Sequence, residues 1–274
     1  MLAALIIVFR EAFEAGLIVG IVMAVTRGVR QRSLWISGGV FGGVVGACIV
    51  AAFAGALSQA FSGVGQELFN AAILILAVAM LTWHNVWMAR HGRELAAEMR
   101  AAGEAVIAGS KSLAGLAVVV GIAVLREGFE LVLFLYGVIA SGGSSATGIL
   151  AGSAIGLVLA ALVCFLTYFG LLKVPGHYLF GVTSILIAFL SAGMAAQAIA
   201  FLEQANVVTA LSAIVWDTSW ILSETSIVGR ALHTLIGYSD QPTAMQLVVY
   251  VLTLAATFGL MKLFAPQRQP SPAH

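Results

Sequence analysis

Charged residues are scarce in this chain, and their scarcity excludes an ordinary water-soluble globular protein. Only 9% of the 274 residues are Asp, Glu, Lys or Arg, whereas 61% are apolar. Soluble domains carry about 25% charged residues and about 45–50% apolar ones. The composition therefore predicts a membrane protein surrounded by lipid, and we expect no nucleic acid among its partners.

Cysteines and basic residues near the N-terminus are also scarce, and both shortages narrow the kind of membrane protein expected. The only cysteines, Cys48 and Cys164, each lie inside an apolar run, so we expect small buried apolar side chains rather than a disulfide or a metal pair. No basic residue precedes Arg10, and Arg10, Glu11 and Glu14 interrupt the first apolar run. A cleavable signal peptide has a different pattern, so this run is predicted to remain as the first membrane span.

Long apolar runs are what the chain has in abundance. A helix needs about 20 mostly apolar residues to cross a bilayer. Seven such runs cover about 2–25, 35–57, 67–88, 113–139, 147–171, 178–200 and 243–264. We therefore predict an all-α membrane protein with seven transmembrane helices, in a single domain over residues 1–264. Three prolines in the remaining residues, 265–274, favour a disordered tail.

Cationic residues are distributed unevenly between the two ends of these runs. If seven spans alternate in direction, one side holds Arg27, Arg30, Arg32, Arg90, Arg93, Arg100, Lys111, Lys173, Lys262 and Arg268. The opposite side holds only Arg230. Because cytoplasmic loops are enriched in Lys and Arg, the N-terminus is predicted outside and the C-terminus in the cytoplasm of a plasma membrane, the inner membrane in a bacterium.

The connections between spans follow from this orientation. The segment 89–112 is then a cytoplasmic connector, and 201–242 is a long outer loop. Trp216 and Trp220 with Asp217 and Glu224 predict an amphipathic helix in that loop, lying at the membrane interface. Gly237 is expected to help turn the chain into the last span.

Two short charged motifs interrupt the apolar runs. Arg126-Glu127-Gly128-Phe129-Glu130 lies in the fourth run, and Arg10-Glu11-Ala12-Phe13-Glu14 lies in the first. Charges inside a membrane cost a few kcal/mol each on insertion scales, and they generally mark functional sites. A purely structural Arg–Glu pair between helices is the alternative, but it leaves one glutamate of each motif unexplained.

The spacing of the motifs predicts an internal repeat. The second motif begins 116 residues after the first, and the same offset maps Cys48 onto Cys164. Residues of about 1–88 would then repeat as about 113–200, with the helix 243–264 added. Three spans is an odd number, so the second copy is inverted, which is the plan of many transporters with a binding site near the bilayer midplane.

The two motifs together predict a metal site. Four carboxylates at close quarters suit a hard cation that prefers oxygen ligands, and they do not suit an anion. The arginines would keep the carboxylates ionised and orient them. The predicted metal ligands are Glu11, Glu14, Glu127 and Glu130, supported by Arg10 and Arg126.

The paired Arg-Glu-x-x-Glu motifs, on spans one and four of seven, resemble those of the high-affinity iron permease family. That family includes fungal permeases that work with a multicopper ferroxidase and bacterial permeases of the Efe uptake system. The resemblance extends to Trp216-Asp217, Leu222-Ser223-Glu224, Gly237-Tyr238 and Pro242. Where the family has glycine in third place, the first motif has Ala12.

The resemblance implies a transport protein rather than an enzyme. It implies that iron, as Fe³⁺, is a transported substrate and not a permanently bound cofactor. It also implies a partner that supplies the iron, either a ferroxidase or a periplasmic or extracellular iron-binding protein. A homo-oligomer is compatible with the sequence.

Four other residues are candidates for admitting or releasing the ion. Glu67 at the outer end of span three is either an access ligand or an acid favoured by the helix dipole. His84, near the inner end of that span, is either an exit ligand or a packed side chain. Asp217 and Glu224, seven residues apart on one predicted helical face, would pass ions inward or simply be solvated.

Three other functions compete with iron import. A proton-coupled carrier of another cation or small solute would use the same glutamates as a proton relay. An intramembrane di-iron oxidase would need Glu-x-x-His, which neither motif has. A structural protein would lose only stability when the motif glutamates are replaced.

Overall fold

The computed structural model describes residues 1–60, 65–141, 145–169 and 176–264, without the side chains of 57–60, 89–93, 95, 176–180, 227 and 234. The predicted tail 265–274 lies outside the described residues. Eight α-helices are found in the described part of the chain. They are α1 (Leu2–Val25), α2 (Arg32–Ala60), α3 (Gln66–Ile107), α4 (Leu113–Ala140), α5 (Ala146–Tyr168), α6 (Gly176–Gln204), α7 (Ile227–Ile236) and α8 (Ala244–Leu263).

The prediction of an all-α membrane protein is confirmed for the described residues. Five stretches of the described residues are long and apolar enough to cross a membrane: Arg32–Ala56, Gln66–Met88, Ala146–Tyr168, Gly181–Gln204 and Ala244–Leu263. α1 and α4 are not among these five stretches, because each carries a motif with three charged residues. α3 does not end with its apolar run but continues through the polar connector to Ile107.

Side-chain caps fix where several helices begin. The hydroxyls of Ser112, Ser145 and Ser226 accept hydrogen bonds from backbone N–H groups in the first turns of α4, α5 and α7. Thr243 does the same for α8 and forms a capping box with Gln246. These bonds satisfy amides that a helix start leaves unpaired, so the polar residues between apolar runs act as boundaries.

Two helix pairs pack in close backbone contact. α1 lies along α5, and α2 lies along α4. In the second pair, a Cβ atom at Gly43 would lie 2.7 Å from the carbonyl oxygen of Gly121, and one at Gly39 would overlap the carbonyl oxygen of Ala117. In the first pair, a Cβ atom at Gly156 would lie 2.6 Å from the carbonyl oxygen of Leu5. Small residues permit this approach because they place no bulky side chain between the helices. Close packing matters here because lipid supplies no hydrophobic drive for helix association.

We expect Gly39→Ala to destabilise the protein and Gly42→Ala to leave it unchanged. Both positions are in α2, but nothing lies within 4 Å of a Cβ atom at Gly42. At Gly39 the added carbon meets rigid backbone of α4, and such overpacking costs about 1–3 kcal/mol. Thermal unfolding of the two purified variants in detergent measures the difference, and equal midpoints would contradict close α2–α4 packing.

Two apolar clusters lie on either side of the charged motifs. One contains α1 residues that precede the motif, including Ile7, together with Leu81 and Phe134. The other contains α1 residues that follow the motif, including Val22, together with Leu116. The charged side chains are therefore enclosed along the helix axes by apolar side chains.

The prediction of an amphipathic helix around residues 216–224 is wrong. The helix of the loop 201–242 is α7, further along the chain. The earlier segment pairs with residues 238–242 instead. Thr218 N donates to the carbonyl of Asp240 at 2.9 Å, and Glu224 N donates to the Asp240 carboxylate at 3.0 Å. Backbone amides engaged in these bonds are not available for helical ones.

The prediction for the cysteines is wrong in one respect. Cys164 is half-buried on α5, and its thiol contacts the carbonyl of Phe13 at 3.8 Å. Cys48 is exposed. An apolar run in the sequence of a membrane protein therefore does not by itself place a side chain in the protein interior.

Candidate metal site

The charged motifs of α1 and α4 meet inside the helix bundle. Arg10 and Glu11 are each 1% exposed and Glu14 is 3% exposed, while Glu127 and Glu130 are also buried. The predicted convergence of the two motifs is therefore present in the structure. Buried ionised groups require partners, because removing a carboxylate from water costs several kcal/mol.

The α1 motif leaves carboxylate oxygens unpaired. Arg10 Nε donates to Glu14 Oε1 at 2.9 Å, as the i, i+4 spacing predicts. Neither carboxylate oxygen of Glu11 has a hydrogen-bond partner among the described residues, although both are buried. A buried polar atom without a partner is expensive, and a cation beside Glu11 would relieve that cost.

The α4 motif is more open than its counterpart. The Arg126 side chain is 37% exposed, and its Nε lies 3.3 Å from Glu130 Oε1 and 4.0 Å from Glu127 Oε1. The guanidinium carbon of Arg126 lies 4.2 Å from the centre of the Trp87 ring. The oxygen Glu127 Oε2 is buried without a hydrogen-bond partner among the described residues.

His84 belongs to this cluster. Its Nε2 lies 3.4 Å from Glu14 Oε2, its Nδ1 contacts Glu130 Oε2, and the side chain is 3% exposed. The imidazole therefore bridges the α1 and α4 motifs. His84 lies four residues before the end of the apolar span Gln66–Met88, as predicted, although the helix α3 itself continues to Ile107.

One group of these side chains has the arrangement of a metal site. Each member offers a ligand atom, and the four atoms lie within 4.8 Å of one another. The members are Glu11, His84, Glu127 and Glu130. Three carboxylates and one imidazole are a donor set that suits first-row transition metals such as iron.

The other candidate residues stand apart from the cluster. Glu67 is exposed in the first turn of α3, as an acid favoured by the helix dipole would be. Asp217 is exposed, and hydrogen bonds from Ser219 and Gln241 lower the pKa of its carboxyl. Asp217 and Glu224 do not share a helical face, because no helix joins them in this described segment, and a role for them in passing ions stays a prediction.

Glu224 has a partner within the loop 201–242. Its carboxylate lies 2.9 Å from Nδ1 of His233 on α7. Burial alone would lower the pKa of His233, but the hydrogen bond and the charge of Glu224 outweigh it and raise that pKa. This ion pair connects α7 to the irregular segment before it.

We expect the fold of this loop to weaken as the pH rises. A histidine with a raised pKa in the fold contributes stability that is fully present below its unfolded pKa, about 6.5, and is lost as the pH rises through the higher folded value. Hydrogen exchange of α7 amides, corrected for intrinsic rates, should show falling protection above about pH 6.5. The Glu224→Gln variant is the control, and an equal fall in that variant would contradict the pairing.

Buried carboxylates between apolar layers of a helical membrane protein define a class, that of cation transport proteins. The chain belongs to the iron permease family, because the model of the "Iron permease FTR1 family" matches residues 1–265. The predicted family is thus confirmed, and the protein is a membrane permease for iron rather than an enzyme.

Curated relatives agree over nearly the whole length. A protein of Yersinia pestis named "Ferrous iron permease EfeU" is 32% identical over 273 residues, covering 98% of this chain and 95% of the relative. The protein of the same name from Escherichia coli O6:H1 is 30% identical over 261 residues, covering 93% and 92%. No solved structure matches this chain.

Proposed function

We propose that this permease imports iron through the buried cluster of Glu11, Glu14, His84, Glu127 and Glu130. The observation that carries the proposal is the convergence of carboxylates from two helices, with oxygens of Glu11 and Glu127 buried and unpaired. A cation bound there would replace the missing partners. Arg10 and Arg126 would limit the negative charge that the empty cluster must carry.

The proposed cargo is Fe²⁺ rather than the Fe³⁺ that the sequence resemblance implied. Two observations favour this choice. The matched relatives are named ferrous iron permeases. The cluster also contains the imidazole of His84, a nitrogen ligand that the motifs alone do not supply and that is common in Fe²⁺ sites.

The inverted repeat is proposed on the basis of helix pairing. In such a repeat α1 corresponds to α4 and α2 to α5, so a contact of α1 with α5 has α4 with α2 as its counterpart. Both pairings exist and both run through glycines. We accordingly retain the predicted division into repeats of about 1–88 and 113–200, with the N-terminus outside and the C-terminus in the cytoplasm. An iron-binding protein would then deliver Fe²⁺ on the side of the α6–α8 loop. The predicted ferroxidase partner fits only Fe³⁺ as cargo, because Fe³⁺ is the product of a ferroxidase.

Uptake into sealed proteoliposomes containing the purified full chain tests the function. One arm supplies Fe²⁺ under anaerobic conditions with ascorbate, and the other supplies Fe³⁺ as a soluble citrate complex. Uptake in the first arm alone is expected. Uptake of Fe³⁺ alone would overturn the choice of oxidation state. Uptake of neither ion, with uptake of another solute driven by a proton gradient, would favour the carrier alternative.

A further inference from the structure

We propose that Trp87 is a positioning residue for iron binding, and that its indole holds the Arg126 guanidinium to one side so that Glu127 and Glu130 keep oxygens available for the ion. The inference rests on the proposed function and adds a residue that lies outside both charged motifs. It comes from a difference between two motifs that have the same spacing in sequence.

The two arginines are held in different ways. Arg10 is 1% exposed, and its Nε lies 2.9 Å from Glu14. Arg126 is 37% exposed, and its Nε lies further from its own glutamates, at 3.3 and 4.0 Å. Burial and a short ion pair fix the first arginine. The second is fixed by the aromatic ring, whose centre is 4.2 Å from the guanidinium carbon.

α3 places two side chains against α4, the ring of Trp87 and the imidazole of His84. His84 and Trp87 are three residues apart, so they lie on neighbouring positions of one helical face. His84 contacts Glu130, and Trp87 contacts Arg126. Arg126 and Glu130 are themselves four residues apart on α4. These two side chains of α3 therefore each contact one residue of the Arg126–Glu130 pair on α4.

Contact with the ring restricts what the guanidinium can do. A cation is attracted to the face of an indole within about 6 Å of its centre, and the guanidinium carbon of Arg126 lies at 4.2 Å. A guanidinium held over the ring can donate through Nε to Glu130, but it is not free to turn its other N–H groups toward Glu127. Oxygen Oε2 of Glu127 accordingly stays without a hydrogen-bond partner among the described residues.

Removal of the ring should release the guanidinium into the cluster. A freed Arg126 would pair bidentately with Glu127 or Glu130, because charge-assisted bonds of this kind are strong in a dry site. It would then compete with the ion for the same oxygens. Iron binding should weaken without loss of the fold.

The test compares two tryptophans of α3. Trp87→Leu removes the π face, and Trp87→Phe keeps a weaker one. Trp83→Leu is the matched control, because Trp83 lies one turn earlier and is 71% exposed. The measurements are Fe²⁺ dissociation constants of purified full-length protein by anaerobic calorimetry, and the KM and maximal rate of uptake into proteoliposomes.

We expect Trp87→Leu to raise the dissociation constant and the KM roughly three- to thirty-fold, the range that a cation–π contact spans. Trp87→Phe should give a smaller rise, and Trp83→Leu should give none. In an Arg126→Gln background, Trp87→Leu should have no further effect on the dissociation constant, because the group that the ring restrains is gone.

Two results would overturn the positioning role. One is an equal change in the Trp87→Leu and Trp83→Leu variants, and the other is a full Trp87→Leu effect in the Arg126→Gln background. Failure of the proposed function looks different, because the wild-type protein would then neither bind nor take up iron. Thermal unfolding identifies a variant that is merely misfolded, and Trp87→Phe then carries the comparison.

Discussion

Glu130→Gln should abolish iron uptake while leaving folded protein in the membrane. The amide has nearly the shape of the carboxylate, so packing is preserved. Glu130 Oε1 accepts from Arg126 at 3.3 Å, and Oε2 contacts His84. A neutral amide offers one acceptor oxygen where the carboxylate offers two, and it supplies no charge to a bound ion.

The expected loss of uptake is roughly a hundredfold or more, because removal of a mere outer-shell partner already costs about 10–100-fold. Glu98→Gln is the control, because this substitution makes the same chemical change at an exposed position of α3. Uptake is measured in proteoliposomes at equal protein content. If the Glu130→Gln variant takes up iron at the wild-type rate, the cluster is not part of the transport route.

Arg10→Gln should destabilise the protein far more than Arg126→Gln. Arg10 is 1% exposed and lies among carboxylates, so its removal leaves buried negative charge without compensation. Breaking a buried pair in this way costs about 3–5 kcal/mol. Arg126 is 37% exposed, so water partly replaces its charge and the loss should be smaller.

Thermal unfolding in detergent at one pH compares the two arginine variants directly. Arg10→Lys separates charge from geometry, because lysine restores the charge but not the planar fork. We expect it to recover most of the stability but not the uptake. Equal unfolding midpoints for Arg10→Gln and Arg126→Gln would show that the two motifs are electrostatically equivalent.

Much of the architecture was predictable because membranes impose a simple rule. A run of apolar residues long enough to cross the bilayer forms a helix, and polar residues between runs end it. The motif residues were predictable for the same reason, since a charge stands out in an apolar run. Their meeting could be inferred from their depth.

The role of His84 could not be inferred in this way. Its apolar run ends at about residue 88, so the sequence placed it near the end of a membrane span, and it did not show that the helix runs on beyond the span. The helix continues because its polar second half still buries Met99 and Val106 against α1 and α4. The signal available in the sequence was the pair His84-Asn85 within an apolar run, but its neighbours depend on how α3 packs.

The outer loop shows a different limit. The residues around Trp216 have the spacing of an amphipathic helix, yet their partners lie about 20 residues further along, at Tyr238 and Asp240. Competition between local and distant hydrogen bonds is decided by tertiary structure. The unequal exposure of Arg10 and Arg126 also depends on neighbours, since their spacings in the two motifs are identical.

The pairing of helices has a consequence for how an ion leaves. Glu11 and Glu14 are on α1, which is joined closely to α5, whereas Glu127 and Glu130 are on α4, which is joined to α2. The carboxylates of the cluster are thus divided between two tightly packed helix pairs. A displacement that draws one pair away from the other would part the α1 carboxylates from those of α4. A movement that opens a path for an ion in this way would therefore also loosen the hold of the cluster on it.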